Sequence, residues 1–99
     1  MFELVFTATA QQELERPEWT PRHEGLVRQI KKSLSFLQHN PEHPSLQTHP
    51  YTSIENPYNP KEKVFEAYAQ NKTPSAYRIF WCYGPEKRHI TIIAITQHP

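Results

Sequence analysis

The sequence predicts an α+β fold in which a helical hairpin packs on one face of a small, mainly antiparallel sheet, in the order β-α-α-β-β-β. Three observations carry that prediction. Leu26, Ile30, Leu34 and Leu37 recur at spacings of four, four and three, which places them on one apolar face of a helix. Ile90–Thr96 is β-branched at every position except Ala94, the composition of a buried, central strand. Helical patterns lie before residue 40 and most strand patterns after residue 63, so the two kinds are segregated along the chain instead of alternating.

The elements follow in order. Phe2–Phe6 is a short apolar run with Glu3 as its only charge, and reads as a first strand. Thr9 with Gln12 three residues on fits a capping box, so a short helix is expected there, ending at Pro17. Thr20-Pro21 reads as an N-cap with proline at the first helical position. The second helix then runs to about Gln38 and stops before Asn40-Pro41, because the residue ahead of a proline disfavours helical geometry. His39–Glu62 is a connector rich in Pro, Asn, His, Ser and Thr, long enough to be functional or to hide an extended piece around Leu46–Tyr51. Val64–Gln70 reads as a strand, Asn71–Ser75 as a turn, Ala76–Tyr83 as a longer aromatic strand and Gly84–Lys87 as the next turn. The helices cover one face of this sheet and leave the other partly open, a plausible place for a ligand.

The 99 residues are expected to form a single domain, residues 1–99. One cysteine, Cys82, closes no intramolecular bridge, and the chain opens without a basic flank followed by an apolar run. A reducing, cytoplasmic setting without membrane spans is therefore expected. Cys82 lies out of phase with the stripe Tyr77, Ile79, Trp81 and Tyr83. It reads as a small buried hydrophobe, and the stripe as core or partner interface.

All 10 acidic residues are Glu, which removes Asp-based metal clusters, and two glycines are too few for phosphate-cradling loops. His39, His43 and His49 are spaced loosely like metal ligands. They sit in proline-rich chain that holds side chains apart, so no metal is expected. The formal net charge is only +1, so any nucleic-acid contact has to be local. Lys61, Lys63, Lys72, Lys87 and Arg88 cluster in the second half, where they form either a basic patch along RNA or a solvated turn face.

Three stretches together resemble the RelE/ParE superfamily of bacterial toxin-antitoxin toxins. They are Asn40-Pro41-Glu42-His43-Pro44-Ser45-Leu46, then Val64-Phe65-Glu66-Ala67-Tyr68 with Ala76-Tyr77-Arg78-Ile79-Phe80-Trp81, and finally Ile90–His98. The resemblance implies a RelE-like fold and a ribosome-dependent messenger RNA endonuclease that uses the RNA's own 2′-hydroxyl as nucleophile, without metal or cofactor. It implies an antitoxin protein, the ribosome and mRNA as partners. Such cleavage needs a group to take the 2′-hydroxyl proton, a group to protonate the leaving 5′-oxygen, and cations on the phosphoryl oxygens.

By the resemblance, Arg78 is the phosphate clamp, its planar fork suited to bidentate contact. His98 matches the general acid of the YafQ-like branch, and His49-Pro50 matches that branch's histidine-proline pair. Glu66 stands where RelE carries a lysine, and can serve as a base. Tyr68 is a candidate for stacking on a base, with Lys63, Lys72, Lys87 and Arg88 as candidate RNA contacts. The plain alternative for Arg78 is a solvated ion pair with Glu66 across the sheet. The alternative function is a ParE-like gyrase inhibitor, or a degenerate toxin that only binds its antitoxin.

Overall fold

The computed structural model describes residues 1–16, 19–70 and 76–97. Five strands form one sheet: β1 Glu3–Phe6, β2 His49–Pro50, β3 Phe65–Tyr68, β4 Tyr77–Tyr83 and β5 His89–Gln97. Their spatial order is β1-β5-β4-β3-β2, so β5 is interior, as its β-branched sequence demands. β1 runs parallel to β5 and the remaining pairings are antiparallel. Two helices, α1 Ala8–Leu14 and α2 Glu24–His39, complete the α+β layer arrangement.

The expected boundaries shift in ways the hydrogen bonds explain. The first helix is capped by Thr7 and not by Thr9. Thr7 Oγ1 accepts from the Ala10 amide at 3.1 Å while donating to the Ile93 carbonyl at 2.7 Å, so one hydroxyl starts the helix and ties it to β5. Phe2 lies outside β1 because its amide donates to the Gln38 carbonyl at the end of α2. Ahead of α2, Pro21–His23 forms a 3-10 turn in which His23 Nδ1 accepts from the Thr20 amide, so the α-helix proper begins at Glu24. At its other end Asn40 is extended, as the following proline requires. The expected stop at Pro17 and the expected turn over Asn71–Ser75 fall outside the described residues.

Alternation divides the sheet into two faces. Ala67, Ile79, Trp81, Ile90, Ile92 and Ile95 turn to one side and form the core with Ala10 of α1 and Ile30, Leu34 and Leu37 of α2. A register shift at Phe80/Trp81 leaves Ile93 as an extra residue in β5, a bulge that keeps both Ile92 and Ile95 in this core. Glu66, Tyr68, Arg78, Phe80, Cys82 and Thr91 turn to the other side.

That second face is less open than the sequence suggests, because the connector folds back over it. The Tyr51 ring lies 4.7 Å from that of Phe80, and Tyr58 reaches Thr91 at 2.8 Å. Thr91 Oγ1 spends its proton on the Gly84 carbonyl, so Tyr58 is the donor in that pair. Asn56, almost fully buried, organises the loop: its Oδ1 accepts from the Tyr58 and Asn59 amides and its Nδ2 donates to the Lys63 carbonyl. The uncovered part of the face narrows to the end where His49 and Tyr68 keep partial exposure.

Candidate active site

The register of β2, β3 and β4 builds a cluster from residues far apart in the chain. His49 stands opposite Glu66, and Tyr68 opposite Arg78, with Glu66 and Tyr68 on the same face of β3. His49 Nε2 lies 2.7 Å from Glu66 Oε1, and Arg78 Nε lies 3.8 Å from Glu66 Oε2. The Arg78 guanidinium sits over the Tyr68 ring at 3.8 Å, and the His49 ring meets Tyr68 edge-on at 6.0 Å. Four expected site residues, His49, Glu66, Tyr68 and Arg78, thus form one contiguous group.

Burial differs sharply within the group. The Glu66 side chain is 2% exposed and that of Arg78 10%, whereas His49 keeps 44%. The expected alternative of a solvated Arg78–Glu66 pair is therefore corrected to a buried one. Tyr68, His49 and the neighbouring strands shut water out, so the carboxylate is compensated by the groups beside it, the Arg78 guanidinium and the His49 ring among them.

The environment of His49 bears on proton transfer. Its Nδ1 lies 2.9 Å from the Gln47 carbonyl, and its Nε2 faces the Glu66 carboxylate. Both partners are acceptors when Glu66 is ionised, and a neutral imidazole has only one N–H. Whichever ring nitrogen carries the proton, an acceptor oxygen faces it. Gln47 contributes through its backbone: with φ 48° it adopts a left-handed conformation just ahead of β2, where its carbonyl receives the imidazole. Glutamine is not a usual left-handed residue, so the sequence holds no signal for this support.

The remaining expected contacts are dispersed. Lys63 and Lys87 line a groove of about 500 Å³ with Lys61, Phe65, Tyr83 and Gly84. That groove lies at the far end of β4, where five residues separate Tyr83 from Arg78, roughly 17 Å at the usual strand rise. Burial, followed by the charge of Glu42, raises the Tyr83 phenol above its ordinary pKa of 10.0. Arg88 packs over the Phe2 ring and donates to the Met1 carbonyl, beside β1. His98 and Lys72 fall outside the described residues.

The histidines of the connector do not converge. His39 bonds the Ser35 carbonyl, His43 stacks on Phe36 at 3.9 Å, and His49 joins Glu66. Among the described residues no group of three His, Cys, Asp or Glu side chains is placed to hold a metal ion. No described helix is long and apolar enough to cross a membrane.

No protein-family model matches the chain, and no curated protein sequence matches it. Solved structures do. The YoeB/ParE toxin from Agrobacterium tumefaciens superposes with a TM-score of 0.67 at 12% identity, covering 98% of this chain and 99% of that one. RelE in the archaeal RelE-RelB complex from Pyrococcus horikoshii gives 0.64 at 11% identity, over 97% of this chain and 93% of that one. The intact Escherichia coli RelBE toxin-antitoxin complex gives 0.62 at 15% identity, over 100% of this chain and 99% of that one. The α+β fold expected from the sequence is therefore the fold of RelE-like toxins, matched from end to end.

Proposed function

We propose that this protein belongs to the RelE/ParE superfamily and is the toxin of a toxin-antitoxin pair, an endoribonuclease that cuts messenger RNA on the ribosome and is held inactive by an antitoxin protein. The observation that carries the reading is the His49–Glu66 contact at 2.7 Å, with its carboxylate buried and its imidazole partly exposed beside Tyr68. Cleavage by the 2′-hydroxyl needs two proton transfers, one from the nucleophile and one to the departing 5′-oxygen. The pair performs one and His98 the other. The imidazole is the member that reaches solvent, so it meets the RNA, and the buried carboxylate keeps its ring oriented. Tyr68 offers an aromatic face at the same place, on which a base can stack. Lys63 and Lys87 lie farther along the sheet, where they meet the flanking backbone.

Cleavage of an mRNA positioned on purified 70S ribosomes, read by primer extension beside free RNA, tests the reading. Cleavage confined to the ribosome sample is expected, falling roughly 10²- to 10⁴-fold in His49→Gln and in Glu66→Gln. Comparable cleavage by both variants would sink the assignment of the pair.

A second reading, a binding module that acts on gyrase or only on its antitoxin, draws on one observation. The formal net charge of +1 is low for a protein that must seat on ribosomal RNA. Absence of cleavage in either sample, together with inhibition of supercoiling or tight antitoxin binding alone, would establish it.

A further inference from the structure

The geometry points to Arg78 as a positioning residue that holds the Glu66 carboxylate against His49, and not as a clamp on the phosphate of the RNA. This deepens the endonuclease reading and rests on it. A bidentate clamp needs an open edge of the guanidinium, with two parallel N–H groups turned toward the ligand. Arg78 has little to offer in that form. Its Nη1 donates to the main-chain carbonyls of Gln70 and Tyr77, and its Nε edge faces Glu66 Oε2. One flat face is covered by the Tyr68 ring. The side chain is 10% exposed, against 44% for His49. Binding a phosphate with the whole fork would mean giving up these contacts and drawing the guanidinium charge away from a buried carboxylate.

The same contacts suit a different task. Arg78 Nε lies beyond hydrogen-bond distance of Glu66, so what it supplies there is charge. The two carbonyls and the Tyr68 ring hold that charge at one place in a site closed to water, where its attraction for the carboxylate is strong. The other oxygen, Oε1, is then presented to His49 Nε2 at 2.7 Å. Arg78 acts through Glu66 on His49. The phosphate contact falls to groups with exposed nitrogen, such as the His49 ring itself.

Two measurements on the full chain decide between positioning and clamping, and neither requires turnover. Proton and nitrogen NMR of histidine-labelled protein reports a hydrogen-bonded His49 Nε2–H, identified by its disappearance in His49→Gln. Affinity for 70S ribosomes programmed with an mRNA carrying 2′-deoxy substitutions at the cleavage site, which cannot be cut, reports phosphate contact. In Arg78→Met the Nε2–H signal is expected to vanish into exchange with water, while affinity falls less than about fivefold; losing a charge-assisted phosphate contact would cost roughly 10- to 100-fold. A folded Arg78→Met protein that keeps the signal overturns the proposal, and so does a loss of affinity beyond fivefold. If that variant fails to fold, Arg78→Lys, which keeps the charge without the fork, is expected to keep both the Nε2–H signal and the affinity within fivefold; loss of the signal, or a loss of affinity beyond fivefold, overturns the proposal. Wild-type protein that ignores the programmed ribosome refutes the endonuclease reading, and the imidazole signal still decides what Arg78 holds.

Discussion

At the scale of single residues, burial decides chemistry that residue type leaves open. Cys82 is fully buried on the connector-covered face, and burial pushes its thiol from 9.0 up to about 11. At pH 8 roughly a thousandth of it is thiolate, so native protein is expected to resist iodoacetamide, with one modification appearing on unfolding. Mass spectrometry with and without denaturant checks this. The same shift sets a pH dependence. The folded state keeps the thiol proton longer than the unfolded chain, so the contribution to stability is whole below pH 9 and is lost as pH rises toward about 11. Urea midpoints that did not fall across that window, relative to Cys82→Ala, would contradict it. Glu66 shows the same lesson in reverse: a charge expected at the solvated surface is buried because Arg78 and His49 stand beside it.

At the scale of elements, the connector is the part whose order depends on particular polar side chains. Fourteen residues, 51–64, lie between β2 and β3 with no regular structure. Their order comes from Asn56, which accepts from two amides and donates to the Lys63 carbonyl, and from the Tyr51 and Tyr58 rings anchored on β4 and β5. Asn56→Ala removes three part-buried hydrogen bonds and is expected to cost about 1–3 kcal/mol by urea denaturation. Amide exchange at Tyr58 and Asn59 should quicken in the same variant, while that of β4 and β5 changes only with global stability. Equal quickening everywhere would show that the loop has no separate stability.

At the scale of the whole molecule, the core and the site are opposite faces of one sheet, and stability and activity can be separated. The accessible surface is 6337 Å², against roughly 17,000 Å² for an extended chain of this mass. Leu37 sits in the core facing the helices, fully buried. Leu37→Ala is expected to destabilise by about 2–5 kcal/mol, with Tm lowered by at least about 8 °C. Below its melting range the folded variant should keep the His49–Glu66 pair, and therefore the same rate per folded molecule as the wild type in the cleavage assay that tests the proposed function. A proportionally larger loss of rate would show that the two faces are coupled.

Much of this fold was legible in the sequence because it is written in local patterns. The four-residue spacing of Leu26 to Leu37 carries α2, the β-branched run carries β5, and the order of segregated patterns carries the α+β class. Thr7 displaced Thr9 as the cap because the choice turns on a bond to Ile93, 86 residues away. The candidate residues His49, Glu66, Tyr68 and Arg78 were named from residue type and resemblance, while the contact of His49 with Glu66, the burial of Glu66 and Arg78, and the bonds of Arg78 Nη1 to two main-chain carbonyls were decided only by tertiary structure. β2 is two residues long in proline-rich chain, so no periodicity announces that His49 pairs with Glu66. Local pattern specifies which face of a strand or helix is apolar; which polar groups then share that face, and how much water reaches them, depends on strand register and on where a connector comes to rest.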